Sequence, residues 1–290
     1  MRFAYYPGCS LEATAREYDS SLRAVCQRLG MELPEVEDWN CCGATTAATI
    51  DPLLGLALAA RDLAAAEQQG LTMMTPCPAC YKNMRKANVA LAKDETLRQK
   101  VNDTLREHTL QGSPEVRHPL DIIVNDVGLD SIPVETPLQG LKVACYYGCL
   151  ITRPKGGFDS PENPQSMDRL VEALGAEAVD FPYKTKCCGG AVFLPKPELA
   201  MGLTGKVLRK AKAAGANCVA VGCPFCHLLL DMYQGKVEAH IGTSLDLPIL
   251  YFSQLMGLAM GIDEGALGLE RLAVSPEPLL REQWTKGKAV

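Results

Sequence analysis

Thr72-Met73-Met74-Thr75-Pro76-Cys77-Pro78-Ala79-Cys80 and Cys218-Val219-Ala220-Val221-Gly222-Cys223-Pro224-Phe225-Cys226 are two versions of one element. Each is a short apolar run, readable as a buried strand, that ends on a Cys-Pro-x-Cys turn. The turn brings two thiols to one place, and the proline after the first cysteine fixes φ and stiffens the loop. Upstream of each run, with 34 residues between, stands an adjacent pair: Cys41-Cys42 in one half and Cys187-Cys188 in the other. One more cysteine opens each set, Cys9 with 31 residues before its pair and Cys149 with 37. Ten of the 13 cysteines therefore obey one plan used twice, and five thiols at a fixed register are a ligand set for something multinuclear.

The repeat extends beyond cysteine. Phe3-Ala4-Tyr5-Tyr6-Pro7-Gly8-Cys9 matches Val143-Ala144-Cys145-Tyr146-Tyr147-Gly148-Cys149, each a β-like run entering a glycine turn that lets the backbone approach a bulky ligand. Helical patterns lie between the runs, over Ala13 to Leu29, Leu53 to Gln68, Asp168 to Leu174 and Pro197 to Ala214. Pro119 to Gly128 and Pro248 to Gly257 are matched as the closing helix of each half, and the first half carries an extra polar helix from Asp94 to His108. Short strands alternating with helices predict an α/β fold of two pseudo-symmetric halves, each with short parallel strands and flanking helices around its set of five thiols. The halves are placed at residues 1–135 and 136–290, with residues 131–140 as the linker. Ligands of such sheets sit at the carboxyl ends of the strands, where these cysteines fall. The tail after Gly261, acidic and then proline-interrupted, is expected to wrap a partner or fray.

Over 290 residues the formal charge is -5 and the pI about 5.5, so nothing invites nucleic acid or an anionic membrane surface. The opening Met-Arg-Phe-Ala-Tyr-Tyr-Pro has no apolar signal core, and no run reaches membrane-spanning length; Leu247 to Met260 is too short and is broken by Ser253 and Gln254. Thirteen cysteines without an export signal predict a reducing, cytoplasmic setting, where vicinal and CxxC thiols mean metal or redox chemistry more often than disulfides. The three cysteines outside the plan act as controls. Cys26 shares a helix face with Leu22, Val25 and Leu29, as a small core residue would. Cys218 aligns with Thr72, and Cys145 has no cysteine counterpart near Ala4.

Soft thiolates favour iron–sulfur clusters or zinc. Zinc takes four ligands and offers no reason for a fifth at the same place in both halves. A Cys-Cys-Gly turn is needed to aim adjacent thiols the same way. The chain has neither a ferredoxin-type cysteine run nor a GxGxxG motif, so no flavin or nicotinamide site is expected and electrons must come from another protein.

Two Cys-x31/37-Cys-Cys-Gly-x33-Cys-Pro-x-Cys units look like the tandem CCG-domain proteins, and most closely resemble the B subunit of heterodisulfide reductase. The likeness covers Met1 to about Gly261. It implies a noncubane [4Fe-4S] cluster on Cys9, Cys41, Cys42, Cys77 and Cys80, and a second on Cys149, Cys187, Cys188, Cys223 and Cys226. It also implies cleavage, or the reverse formation, of a small thiol disulfide between the two clusters, with Cys41, Cys42, Cys187 and Cys188 at the reacting faces. A ferredoxin-like C subunit and a flavin-containing A subunit would be the partners. The alternative within the family is an electron-relay subunit of an organic-acid or quinone-linked dehydrogenase complex.

Other residues have two readings each. His227, next to Cys226, could protonate a leaving thiolate or simply pack or cap a helix. Lys184, Lys186, Arg153 and Lys155 could attract an anionic thiol or balance the clusters. Lys82, Arg85 and Lys86 could be docking charges or an ordinary exposed helix face. Tyr5, Tyr6, Tyr146 and Tyr147 could shield the clusters or fill a core. Finally, Gly43-Ala44-Thr45-Thr46 differs from Gly189-Gly190-Ala191-Val192-Phe193, and unequal surroundings give unequal potentials.

Overall fold

The computed structural model describes residues 1–44, 47–106 and 108–281. In the first half, strands β1 (Ala4–Tyr5), β2 (Met73–Met74) and β3 (Val116–Arg117) form a parallel sheet in that order. In the second, β4 (Lys142–Tyr146), β5 (Glu177–Val179), β6 (Cys218–Val221) and β7 (Ile249–Tyr251) form a parallel sheet in the order β5-β4-β6-β7. The fourth position of the first sheet is taken by residues 32–35, which hold β1 through two isolated parallel bridges, Arg2 to Glu32 and Tyr5 to Glu35. The two halves thus share one strand order. Both are parallel α/β units with flanking helices, as the alternation of short apolar runs and helical patterns predicts.

Helix starts follow local chemistry. The helices Pro52–Gln68, Pro78–Lys93 and Pro197–Ala213 each begin on a proline, whose missing N–H costs nothing in a first turn. The Asp51 carboxylate accepts from Leu53 N, and Asp94 caps the helix Glu95–Asn102 by accepting from Leu97 N. That helix is shorter than the 94–108 stretch predicted, and residue 107 lies outside the described residues. The predicted Ala13–Leu29 helix runs over Arg16–Arg28, and a separate short helix, Gly8–Glu12, precedes it.

Two expectations need correction. Pro248 precedes β7 and does not open the closing helix, which is Phe252–Ala259. Its counterpart is Pro119–Ile122, continued by Ile123–Val127, so the sequence match was four residues out of register. The tail also neither frays nor projects before residue 281. Leu267, Leu269, Leu272 and Leu280 are buried, and the buried Asp231 carboxylate accepts from Ala273 N and Val274 N. Residues 282–290 lie outside the described residues.

One hydrophobic core is confined to the first half, around Leu63, Met73 and Met84. The other runs from Tyr5, Tyr18 and Leu22 into Val143, Val219, Leu250 and Leu255 without a break. Each closing helix packs on the first long helix of the opposite half: Phe252–Ala259 on Arg16–Arg28, and Pro119–Ile122 on Ser166–Ala173. At the first of these seams the Ser21 and Ser253 hydroxyls hydrogen bond at 2.7 Å, fully buried.

Candidate metal centre

Each parallel strand that enters the site ends on a thiol or on a residue that supports one. β1 and β4 lead through Gly8 and Gly148 to Cys9 and Cys149, while β2 and β6 lead into the two Cys-Pro-x-Cys turns. Gly8 and Gly148 have φ of +70° and +68°, in the left-handed region that glycine tolerates. A Cβ on either would stand 3.2 Å from Cys80 Sγ or 3.0 Å from Cys226 Sγ. In both halves, therefore, glycine makes room for the second thiol of the turn.

The double cysteines are anchored by matching tyrosines. Tyr6 donates its hydroxyl to the carbonyl of Asn40, and Tyr146 to that of Lys186, each at 2.6 Å. Asn40 and Lys186 are the residues immediately before Cys41 and Cys187. The next carbonyls use unrelated donors: Cys42 O accepts from Asn83 Nδ2, and Cys188 O from Thr204 Oγ1 at 2.7 Å.

The structure brings the five thiols of each half together. Cys9 and Cys41 sulfurs are 4.0 Å apart, Cys42 and Cys80 are 3.3 Å apart, and Cys77 and Cys80 act directly on each other's ionisation. In the second half Cys188 and Cys226 sulfurs are 3.5 Å apart, Cys187 acts on the ionisation of Cys149 and Cys188 acts on that of Cys187, and Cys223 acts on that of Cys226. Cys42, Cys77 and Cys80 are buried and Cys9 and Cys41 exposed. Likewise Cys188, Cys223 and Cys226 are buried, Cys149 is half-buried and Cys187 exposed. Each site has an inner trio and an outer pair.

Crowding polarises the thiols. The Cys80 thiol and backbone N–H groups favour the Cys77 thiolate, and the Cys187 and Cys226 thiols hold Cys188 well below the ordinary thiol range. Neighbouring thiols shift the other way: hydrogen bonding to Cys42 and Cys77 with burial raises Cys80, and burial beside Cys41 pushes Cys9 up to about 11. Five such groups cannot all ionise without a countercharge. An iron–sulfur group fits this donor set: soft sulfurs in mutual contact, a glycine-cleared inner face and N–H donors from Gly189 and Gly190 at 3.3 and 3.4 Å from Cys187 and Cys188 Sγ. The thiols are spread over a patch, and among the described residues no three His, Cys, Asp or Glu side chains are set to hold a single metal ion.

The other candidates have mostly structural places. Lys184 is buried, with Nζ 2.8 Å from Asp168 Oδ1, and its carbonyl accepts from Tyr147 N and Gly148 N. It braces the Cys149 turn and is not open to an anionic thiol. His227 is buried, stacks on Tyr251 at 4.3 Å and shares its Nε2 with Ile249 O; burial lowers its pKa to about 4. The packing reading wins over the proton donor. Arg85 spans the halves, donating to Tyr81 Oη and to the carbonyls of Lys155 and Gly156, whereas Lys82 and Lys86 are exposed. Arg153 lowers the neighbouring Cys149, whose pKa burial nonetheless raises. Tyr5 and Tyr147 donate to Asp19 and Asp168 at 2.6 Å, so all four tyrosines are tied by their hydroxyls as well as buried. Of the contrast between the two glycine turns, Thr45 and Thr46 lie outside the described residues.

Two features escaped the sequence. Asp62 is fully buried and accepts from Asn40 N at 2.9 Å, with burial raising its pKa to about 7. An aspartate on an apolar helix face carries no signal of such a contact. Aromatic rings also line the seam between the halves, and only tertiary structure assembles them.

Comparison with known proteins agrees with this geometry. Residues 3–85 and 143–231 each match the family described as "Cysteine-rich domain" (CCG). The chain is 37% identical to the 8-methylmenaquinol:fumarate reductase membrane anchor subunit of Wolinella succinogenes, over 96% of this chain and 98% of the other. It is 32% identical to the B subunit of the ferredoxin:CoB-CoM heterodisulfide reductase of Methanosarcina mazei, over 94% of each. A crystal structure of a hypothetical protein from Helicobacter pylori superposes with a TM-score of 0.80 at 14% identity. That likeness concerns the fold alone; it covers 94% of this chain, which spans about half, 52%, of the other. Among the described residues no helix is long and apolar enough to cross a membrane. With the cysteine-rich unit present twice and full-length relatives of this kind, the chain belongs to the tandem CCG-domain family that includes the B subunits of heterodisulfide reductases.

Proposed function

We propose that this chain is the iron–sulfur subunit of a heterodisulfide-reductase-like complex and cleaves, or in reverse forms, a small thiol disulfide. Two noncubane [4Fe-4S] clusters would be held by Cys9, Cys41, Cys42, Cys77 and Cys80, and by Cys149, Cys187, Cys188, Cys223 and Cys226. The observation that carries this reading is the duplicated site itself, three inner thiols behind an outer, more exposed pair in each half. A closed structural zinc site would have no use for the outer pair. When bound, the clusters supply one-electron chemistry on either side of a two-electron bond. The residues present do the rest. Gly8 and Gly148 clear the inner face, Tyr6 and Tyr146 set the backbone before the outer pair, and the exposed Cys41 and Cys187 leave a face open to a small disulfide. Electrons would come from a ferredoxin-like C subunit fed by a flavin-containing A subunit, in the cytoplasm.

A second reading has a specific observation in its favour. The relative of highest identity quoted above belongs to a quinol-linked fumarate reductase. In a complex of that kind the clusters would only relay electrons. The protein purified without oxygen, reduced with an artificial donor and offered small disulfides separates the two. Thiol release at a rate well above the protein-free control supports the reductase. A reducible, iron-loaded protein that releases no thiol is a relay.

A further inference from the structure

Each site is backed by a run of three aromatic rings whose third ring comes from the opposite half; the first pair meets edge-on at the first site and stacks at the second. Behind the first site, Tyr81, which follows Cys80, meets His118 at 6.1 Å, and His118 stacks on Phe158 of the second half at 6.3 Å. Behind the second, His227, which follows Cys226, stacks on Tyr251 at 4.3 Å, and Tyr251 stacks on Tyr18 of the first half at 4.1 Å. His118 and Tyr251 occupy matching sheet positions, and each stands at the N-cap position of its closing helix.

The rings match in position but not in chemistry. Every polar atom of the first triad is in use: Tyr81 Oη accepts from Arg85 at 2.7 Å, His118 Nε2 pairs with Pro76 O at 2.9 Å, and His118 Nδ1 accepts from Leu120 N at 3.2 Å. In the second triad the Tyr18 and Tyr251 hydroxyls are buried with no hydrogen-bond partner. A buried hydroxyl without a partner forfeits its solvation, so two on stacked neighbours ask for an acceptor. In the sheet Tyr251 pairs with Val221, two residues before Cys223. After burial itself, Cys223 and then Cys77 act most on Tyr18, while on Tyr251 Glu17 acts first, followed by Tyr18 and Cys223. Thr75 and Thr152 hydroxyls are unpaired too, one in each half, and so do not separate the sites.

We propose that Tyr18 and Tyr251 are positioning residues that donate O–H···S hydrogen bonds at the second site, to cluster sulfur beside Cys223, and raise that site's reduction potential above the first. The inference rests on the iron–sulfur reading given above. Donors to sulfur stabilise the more negative, reduced state, which is why such bonds tune these centres. Electrons arriving at either site would then settle on the second half. Tyr18, reaching across the seam from the first half, makes that potential depend on how the halves are docked.

The test is a redox titration of the intact, cluster-loaded chain followed by electron paramagnetic resonance, comparing wild type with Tyr18→Phe and Tyr251→Phe. Iron and sulfide per chain are measured first, and zinc without sulfide in the wild type would sink the iron–sulfur reading and this inference together. With iron present, each variant is expected to keep full iron content. The higher of the two potentials should fall by at least a tenfold change in the reduction equilibrium, 59 mV for one electron, while the lower one stays. The iron-free variants should melt no earlier than wild type, because in the absence of sulfur acceptor the lost hydroxyl had no partner. Unmoved potentials at full iron content would overturn the proposal while leaving the iron–sulfur reading intact. Movement of the lower potential alone, or loss of iron with earlier melting, would reduce the two rings to packing.

Discussion

At the scale of single residues the site depends on what is absent as much as on the thiols. Gly8 and Gly148 combine a left-handed backbone with a sulfur where a side chain would begin. Gly8→Ala or Gly148→Ala should each cost about 1–2 kcal/mol of backbone strain and displace Cys80 or Cys226. Thermal melts and iron analysis on both variants check this, and a variant that keeps full stability and full iron would refute it. The cysteines themselves divide by the register of the repeat. Cys41→Ala or Cys187→Ala should abolish or convert one cluster, whereas Cys26→Ala, in the core beside Leu22 and Val25, should leave metal content unchanged at a cost of roughly 1 kcal/mol. Iron per chain is the readout, and the opposite pattern would show the register to be wrong.

At the scale of elements, the strands and helices do two separate jobs. Strand ends and proline-started helices deliver the thiols, and the closing helices join the halves. The tail belongs to the second job. Leu267 is buried against Gly257, whose missing side chain lets it close: a Cβ there would stand 2.2 Å from Leu267 Cδ2. Leu267→Ala should therefore destabilise by about 2–5 kcal/mol, read by urea unfolding. The Asp231 clamp on residues 273 and 274 makes the same attachment sensitive to pH. Burial raises its pKa to about 6, partly opposed by the two N–H donors. The folded state thus holds a proton that the unfolded chain, with a carboxyl near 3.9, has already released. Its contribution to stability is full below about pH 4 and is lost as pH rises through 6, with no further change above. The stability difference between wild type and Asp231→Asn should drift over that window and be flat from pH 7 to 8. A constant difference throughout would contradict the assignment.

At the scale of the molecule, pseudo-symmetry of plan does not mean independence of parts. One core runs through both halves, and each half's closing helix covers the other's first long helix. Unfolding of the iron-free chain should accordingly be a single calorimetric transition with matching van't Hoff and calorimetric enthalpies. Residues 1–135 expressed alone should not reach native secondary structure, because the helix Arg16–Arg28 would expose Tyr18, Leu22 and Val25 to water. Two resolved transitions, or a stably folded first half, would show the seam to be a simple contact between domains. The whole-molecule view also carries the proposed chemistry: Tyr18 of the first half stacks on Tyr251 of the second at 4.1 Å.

Much of this was legible in order and spacing alone. Cys-Pro-x-Cys, the paired cysteines and Gly-Cys are local devices, and a turn that must place two sulfurs together does so through φ limits and proline wherever it occurs. The parallel α/β plan followed from strand-like runs separated by helix-length segments, since parallel neighbours require such crossovers. What could not be read was anything set by packing between distant residues. The closing helix slipped by four positions because Pro248 is equally at home before a strand and at a helix start. Lys184 looked like a charge for substrate until Asp168, 16 residues away, took it. The tail's fate depended on a cavity at Gly257, and the seam rings Tyr18 and Tyr251 lie 233 residues apart. Chain-local stereochemistry determined the thiols and their delivery. Their surroundings, and with them which thiols are buried, paired or open, were decided only when the two halves packed together.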